Sequence, residues 1–175
     1  NRAHYEGERT CGAAALVSGG GKACFWGCLG LADCERACEF NAISMNENAL
    51  PVVDETRCTG CGDCVEACPK DLFSLQLIDQ RLWVACSSQA EGDEVLSQCE
   101  VGCTACGRCA ADAPGGITMK QGLPVINPDA PPSTADSTHR CPTGAIVWLD
   151  QDQGPQKGPA AHRVIRHGPL PDTDS

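Results

Sequence analysis

The chain has 175 residues, a formal net charge of -10 and 15 cysteines, beside only three Phe, three Trp and one Tyr. The negative charge argues against nucleic-acid binding, which needs a basic face. The sequence contains no run of about 18 apolar residues, so no membrane-spanning helix is predicted. A domain of this size normally builds its core from more large side chains, so we expect inorganic clusters bound by the cysteines to fill part of the interior.

Residues 1–23 predict an irregular N-terminal segment. They end in Ser18–Gly21, which is too rich in glycine for a regular element. Residues 19–22 (GGGK) superficially resemble a phosphate-binding loop, but the glycine spacing and the following Ser or Thr of such a loop are absent. The sequence therefore predicts no nucleotide site, and any substrate chemistry is expected on a partner chain.

Residues 24–80 predict a ferredoxin-like module with two clusters. In residues 58–69, four cysteines follow the spacing C-x2-C-x2-C-x3-C-P, which is typical of bacterial proteins that bind 4Fe-4S clusters. Zinc sites usually show two separated cysteine pairs, so a zinc-binding interaction module is the weaker interpretation. In such a run the first three cysteines bind one cluster, and the fourth binds its neighbour.

A second cysteine set must then lie nearby, and it precedes this run. Its spacing is looser, C-x3-C-x5-C-x3-C, so the loop of residues 29–33 is expected to bulge around its cluster, and Glu39 replaces the proline. Exchange of the fourth cysteine between the sets predicts two clusters. The first cluster would be bound by Cys24, Cys28, Cys34 and Cys68. The second would be bound by Cys58, Cys61, Cys64 and Cys38.

Short helices and hairpins are predicted between these cysteines, which indicates an α+β fold. Helices are expected around residues 31–37 and 63–67. The expected strands are 43–45 with 50–53, and 72–77 with 82–85, the latter pair turning at Asp79 and Gln80.

An internal repeat predicts a second module over residues 81–150. Residues 50–54 (LPVVD) recur as residues 123–127 (LPVIN), and the same shift places Cys68 on Cys141. The fold would then be a tandem of bacterial-ferredoxin-like modules. The expected elements of the second module are a hairpin of residues 117–120 and 123–126, turning at Gln121 and Gly122, and a closing strand at 145–149.

The second module is predicted to be half-filled, with one cluster kept and one lost. The ligands of the kept cluster, the third of the chain, would be Cys103, Cys106, Cys109 and Cys141. The positions that another cluster would need are occupied by Ala113, Pro131, Thr134 and Ser137. Because all four cysteines are missing together, residues 128–137 are expected to form surface coil.

Three cysteines remain unassigned: Cys11, Cys86 and Cys99. They can be buried free thiols, whereas a disulfide between Cys86 and Cys99 is disfavoured in a reducing compartment. Alternatively, the three bind a fourth 4Fe-4S cluster, whose last ligand lies upstream of Asn1 or is His4 or a carboxylate. In a further alternative, Cys99 replaces a ligand of the third cluster.

Residues 151–175 are rich in Gly, Pro, Gln and Asp, and they are expected to lack a core of their own. Within them, residues 162–167 (HRVIRH) form a small basic and apolar patch on an acidic chain. We predict a docking tail whose patch adds a strand to a partner subunit. Simple disorder of a terminal segment is the alternative.

Several stretches resemble the ferredoxin part of the B subunit of Rnf-type electron-transfer complexes. They are residues 5–11 (YEGERTC), 19–34 (GGGKACFWGCLGLADC), 50–54, 58–69, 86–88 (CSS) and 99–103 (CEVGC). The resemblance covers most of residues 5–150. It implies several 4Fe-4S clusters, electron transfer between ferredoxin and a membrane-bound flavin complex, and a shared role for Cys11, Cys86 and Cys99.

We expect the chain to depart from that family in having no N-terminal membrane anchor and no upstream cysteine domain. We also expect a soluble, cytoplasmic relative that is not itself an enzyme. It would relay single electrons through three or four clusters between a catalytic oxidoreductase subunit, such as a flavin, tungsten or molybdenum enzyme, and a ferredoxin or flavin partner. A free ferredoxin-type carrier and a structural or regulatory iron-sulfur protein are the alternatives. The acidity either steers docking on basic partners or only keeps the chain soluble.

Overall fold

The structure, a computed structural model, describes residues 5–162. The suggested ligand His4, and all of the patch at 162–167 except His162, lie outside the described residues. The chain divides into two compact units, of which the first ends at Gln76 and the second begins at Leu77. No helix within the described part of the chain is long and apolar enough to cross a membrane.

The first unit begins with a short helix, α1 (Cys11–Leu16), at a place where we expected irregular chain. The side-chain oxygen of Thr10 caps the helix by accepting a hydrogen bond from Ala13 N–H at 3.2 Å. Three consecutive alanines then favour helix over coil. The helix gives way to a 3₁₀ turn at Ser18–Gly21, where Gly19 and Gly20 have φ of 70° and 64°. The expectation of irregular structure was therefore wrong for α1, where capping and alanine outweigh the neighbouring glycines.

Two helices and one hairpin complete this unit, and they confirm the two predicted helices and the first predicted hairpin. They are α2 (Asp33–Ala37), α3 (Asp63–Ala67), β1 (Ile43–Met45) and β2 (Pro51–Val53). Helix α2 packs against α3, and β1 pairs antiparallel with β2, with Ile43 opposite Val53. Both helices contain a cysteine in the first turn and end at a cysteine with extended backbone, Cys38 and Cys68 respectively.

The second unit contains a three-stranded sheet, a hairpin and short helices. Its elements are β3 (Leu82–Val84), α4 (Gly92–Gln98), α5 (Arg108–Asp112), β4 (Ile117–Lys120), β5 (Leu123–Ile126), a 3₁₀ helix (Ala135–Thr138), β6 (Ile146–Asp150) and β7 (Gly154–Lys157). The sheet has the order β3-β6-β7. The β4–β5 hairpin turns at Gln121 and Gly122, both with positive φ, and this confirms the predicted hairpin.

The hairpin expected between residues 72–77 and 82–85 was wrong. Residues 72–77 form no strand, and β3 pairs antiparallel with β6 instead, with Leu82 opposite Trp148. That pairing buries Leu82 against Ile117 and Ile146, whereas a local hairpin would have left it on a two-stranded ribbon of marginal stability. Residues 154–157, which we expected to be part of a tail, also join this sheet as its edge strand.

We predict that Leu82→Ala destabilises the second unit by about 2–5 kcal/mol, because the leucine is 0 % exposed and its removal leaves a cavity in the core. Urea unfolding of the iron-loaded protein under anaerobic conditions measures the loss. Leu77→Ala is the matched control, since Leu77 is 66 % exposed, and it should change stability by less than about 0.5 kcal/mol. Equal effects of the two substitutions would contradict the pairing of β3 with β6.

Candidate metal centres

Three seven-residue loops, each beginning and ending with a cysteine, share one backbone conformation. They are residues 28–34, 58–64 and 103–109, and positions are counted from the first cysteine. Each has a left-handed residue at its third position and another at its fifth, and a short helix follows directly. The third-position residues are Gly30, Gly60 and Ala105, with φ of 76°, 70° and 58°. The fifth-position residues are Ala32, Gly62 and Gly107, with φ of 64°, 95° and 70°. These turns curl each loop so that its cysteines can face one centre.

The shared conformation changes how the first loop aligns with the others. Cys28 and Cys34 occupy the positions of Cys58 and Cys64, and Leu31 stands where the second loop has Cys61. The loop of residues 29–33 therefore does not bulge as expected. The signal was present in the sequence, because the Gly and Asp spacing of residues 28–34 (CLGLADC) matches that of the second loop (CTGCGDC).

A cavity of about 200 Å³ in the first unit is lined by four cysteine side chains from three segments of the chain. They are Cys11 at the start of α1, Cys28, Cys34 and Cys68. Apolar side chains such as Met45 and Phe73 complete the wall. Cys24, the predicted ligand, is not among the lining residues. Four thiolates in an apolar cavity are a donor set that fits a 4Fe-4S cluster.

The thiols of this cavity interact electrostatically. Burial raises the pKa of Cys34 to about 11, and the thiols of Cys28 and Cys11 add to the rise. Burial also raises the pKa of Cys28, to which Cys11 and Cys68 contribute, while the backbone N–H of Gly30 lowers it. Bringing these thiolates together is therefore unfavourable without a bound cation, and loading of iron must release their protons.

The second site is more open to solvent. Cys58 and Cys61 are exposed and Cys64 is half-buried. Burial raises the pKa of Cys64, and the neighbouring thiols Cys58 and Cys61 raise it further. The proposed fourth ligand, Cys38, ends α2 as Cys68 ends α3.

The sulfurs of Cys38 and Cys68 have equivalent hydrogen bonds. Ala42 N–H donates to Cys38 Sγ at 3.3 Å, and Leu72 N–H donates to Cys68 Sγ at 3.4 Å. The two halves of the first unit are thus alike around these cysteines, as the exchange of ligands between two clusters requires.

The third site lies in the second unit, where one cavity is lined by all four predicted ligands: Cys103, Cys106, Cys109 and Cys141. The internal space of this cavity is only about 10 Å³. The four converging thiols, and not the empty volume, are therefore what fits a 4Fe-4S cluster. Burial raises the pKa of Cys109 to about 11, and Cys103, Cys141 and Cys106 contribute to the rise.

An ion pair holds the segment of Cys141 against α5. Arg140 Nε donates to the two carboxylate oxygens of Asp112 at 3.0 and 2.9 Å. These hydrogen bonds hold the pKa of Asp112 below its usual range. The pair joins the residue before Cys141 to the end of the helix that carries Cys109, and it therefore positions the distant ligand beside the run.

The positions without cysteine in the second unit differ in environment. Ala113 packs against the core that includes Leu82 and Cys109. Pro131 and Thr134 are exposed, whereas Ser137 is buried in the 3₁₀ helix. Residues 128–134 are mostly exposed, as expected of surface coil. The expectation was wrong for residues 135–137, which belong to the 3₁₀ helix and bury Ser137.

The three unassigned cysteines lie in different surroundings. Cys86 is beside the third site, where its sulfur accepts hydrogen bonds from Cys103 N–H at 3.3 Å and Ser88 N–H at 3.5 Å. Cys99 follows α4 and donates its backbone N–H to Val95 O at 2.8 Å. Cys11 belongs to the cavity of the first unit.

Within residues 5–162, no group of three or more His, Cys, Asp or Glu side chains is arranged to hold a metal ion. A single zinc ion draws its thiolates to within about 4 Å of one another, because each Zn–S bond is about 2.3 Å long in a tetrahedral site. The thiolates of a 4Fe-4S cluster bind different irons and stand farther apart.

Residues 23–72 match the family model described as a 4Fe-4S dicluster domain. The chain is 44% identical over 103 residues to the B subunit of the Na(+)-translocating ferredoxin:NAD(+) oxidoreductase complex of Acetobacterium woodii, covering 59% of this chain and 31% of that protein. It is 36% identical over 143 residues to the B subunit of the ion-translocating oxidoreductase complex of Methanosarcina acetivorans, covering 81% and 54%. It is 42% identical over 145 residues to the B subunit of the proton-translocating ferredoxin:NAD(+) oxidoreductase complex of Clostridium ljungdahlii, covering 81% and 51%.

These relatives confirm the predicted resemblance to the ferredoxin-domain part of the B subunit of Rnf-type complexes. The chain spans about half the length, or less, of the curated relatives that it matches. It contains a 4Fe-4S ferredoxin domain of mixed short helices and strands, which fits the predicted α+β class.

Proposed function

We propose that this chain is an iron-sulfur electron-transfer subunit that relays single electrons between a catalytic oxidoreductase partner and a ferredoxin or flavin partner. The observation that carries the proposal is the cavity of the first unit, in which Cys11 converges with three cysteines of the 4Fe-4S dicluster domain, Cys28, Cys34 and Cys68. The relatives support it, because they are named as subunits of ion-translocating oxidoreductase complexes.

Three 4Fe-4S clusters are proposed, and each would supply a one-electron redox centre. The first uses Cys28, Cys34 and Cys68, for which the predicted fourth ligand is Cys24 and the cavity offers Cys11. The second uses Cys58, Cys61, Cys64 and Cys38. The third uses Cys103, Cys106, Cys109 and Cys141 in a half-filled second module. The alternative is a total of four clusters, with the fourth bound by Cys11, Cys86 and Cys99.

The protein sets the potentials through hydrogen bonds, burial and charge. Backbone N–H groups that donate to Cys38 and Cys68 stabilise the more negative, reduced state and raise the potential. Burial and the net charge of -10 act in the opposite direction. The exposure of Cys58, Cys61 and Cys106 supports a position near the surface for two of the proposed clusters, where a partner can approach.

The partner is proposed to be a catalytic subunit of the flavin, tungsten or molybdenum type, which would carry all substrate chemistry. The acidic chain would dock on a basic surface of this partner, since complementary charge speeds encounter. The cytoplasm is the proposed compartment, because its thiols stay reduced there. The second candidate is a free ferredoxin-type carrier.

A redox titration of the anaerobically purified protein, followed by EPR, tests this function. We expect every cluster to accept and return one electron reversibly. Clusters that degrade on reduction would contradict electron transfer and favour a structural or regulatory role. Purification from the source cells then separates the two candidates: a catalytic chain at a fixed ratio supports the subunit, and an isolated monomer supports the free carrier.

A further inference from the structure

The first cysteine loop lacks a ligand at a defined place. Its backbone has the same left-handed residues as the other two loops, yet the position of Cys61 and Cys106 is occupied by Leu31. A cluster seated as in the other loops would meet an apolar side chain at that corner. The iron there needs a thiolate from another segment.

Cys11 is held at this gap by the packing of α1. It is 9 % exposed and belongs to a small apolar core with Ala14 and Leu29, against which Leu31 packs. Gly20 permits the close approach, since a Cβ there would lie 3.2 Å from both the Ala14 Cβ and the Leu29 Cδ2. Leu31, which replaces the missing ligand, and Cys11 of α1 therefore pack in the same small apolar core.

Polar contacts fix the start of α1 to α2. Gly12 N–H donates to Asp33 Oδ2 at 3.1 Å, and Arg36 Nη2 donates to Arg9 O at 3.4 Å. Arg36 also forms an ion pair with Asp33. Because α2 carries Cys34, these contacts tie the helix of Cys11 to a neighbouring ligand of the same cavity.

We propose that Cys11 is the fourth ligand of the first 4Fe-4S cluster, beside Cys28, Cys34 and Cys68, and that Cys24 binds no iron. The inference rests on the iron-sulfur function proposed above and specifies one of its sites. It also removes Cys11 from any fourth cluster with Cys86 and Cys99. The total is then three clusters, with Cys24, Cys86 and Cys99 as thiols.

The place of Cys24 supports this assignment, because Cys24 does not line the cavity that Cys11 lines. Cys24 instead lies in a turn closed by Gly27 N–H donating to its carbonyl at 3.3 Å. The next residue, Phe25, is held by Lys70, whose Nζ donates to the Phe25 carbonyl at 2.8 Å and lies 4.0 Å from the ring centroid.

The matched pair Cys11→Ser and Cys24→Ser tests the proposal. Iron and acid-labile sulfide per chain are measured for each variant after anaerobic purification, together with the EPR of the reduced protein. We expect Cys11→Ser to lose about one third of the iron, which is one cluster of three, and Cys24→Ser to keep all of it. Loss of iron in Cys24→Ser, or full iron in Cys11→Ser, would overturn the proposal.

A rescue variant guards against simple misfolding of Cys11→Ser. The double variant Cys11→Ser/Leu31→Cys places a thiol at the position of Cys61, and we expect it to regain the iron content and EPR spectrum of the parent protein. A double variant that stays depleted would overturn the equivalence of the loops. Failure of the proposed function is distinguishable, because the unmodified protein itself would then contain zinc or no metal.

Discussion

Cys141→Ser is expected to remove one complete 4Fe-4S cluster, about four of about twelve irons per chain. Cys141 follows the Cys103, Cys106 and Cys109 run at a distance in sequence, yet it lines the same cavity. Without it, three thiolates face a cluster with one iron unligated and open to solvent. Iron and sulfide analysis, with the EPR of the reduced protein, measures the loss.

Cys99→Ser is the matched control for that substitution, because Cys99 also lies in the second unit and precedes the same run. It should keep the full iron content. If Cys141→Ser leaves iron and spectra unchanged, the assignment of a half-filled module is wrong. If Cys99→Ser loses the cluster in its place, the fourth ligand is Cys99.

Cys68→Ser should release the first proposed cluster, which is bound by Cys28 and Cys34. The run that Cys68 itself follows in sequence should keep the second cluster. The reason is that Cys68 lines the cavity of Cys28 and Cys34. We expect Cys28 and Cys34 to become reactive towards iodoacetamide in the anaerobic protein, whereas Cys58, Cys61 and Cys64 stay protected. Mass spectrometry of tryptic peptides identifies the alkylated cysteines, and about four irons should be lost.

Cys38→Ser provides the reciprocal control, since Cys38 ends α2 as Cys68 ends α3. In the Cys38→Ser protein, Cys58, Cys61 and Cys64 should become reactive towards iodoacetamide, whereas Cys28 and Cys34 should stay protected from alkylation. Alkylation of Cys58, Cys61 and Cys64 in the Cys68→Ser protein would show that the run binds its cluster without exchange of ligands, against the two-cluster arrangement.

Local elements of this fold could be predicted from the sequence because local chemistry determines them. The turn at Gln121 and Gly122 specifies its hairpin, and the cysteine loops specify the helices that follow them. The partner of β3 could not be predicted in this way. Its pairing with β6 joins residues far apart in sequence, and burial of Leu82 decides it through tertiary packing.

The candidate ligands also divide into those that local sequence indicates and those that only tertiary packing brings together. The regular runs ending at Cys64 and Cys109 are recognisable from spacing alone. Cys141, which lines the same cavity as the run ending at Cys109, was predicted through the repeat. The proposed role of Cys11 in the first cluster was not predicted, because the thiol comes from a different segment, carried by a helix whose packing no spacing rule reveals. The hidden signal was Leu31, which stands in a loop that otherwise matches its neighbour.

Iron and acid-labile sulfide per chain, measured on the anaerobically purified protein with metal analysis for zinc, decide whether the chain binds three clusters. We expect about twelve irons and about twelve sulfides, from three 4Fe-4S clusters on twelve of the 15 cysteines. About sixteen irons would contradict this expectation by requiring a fourth cluster, and zinc in place of iron would contradict electron transfer altogether.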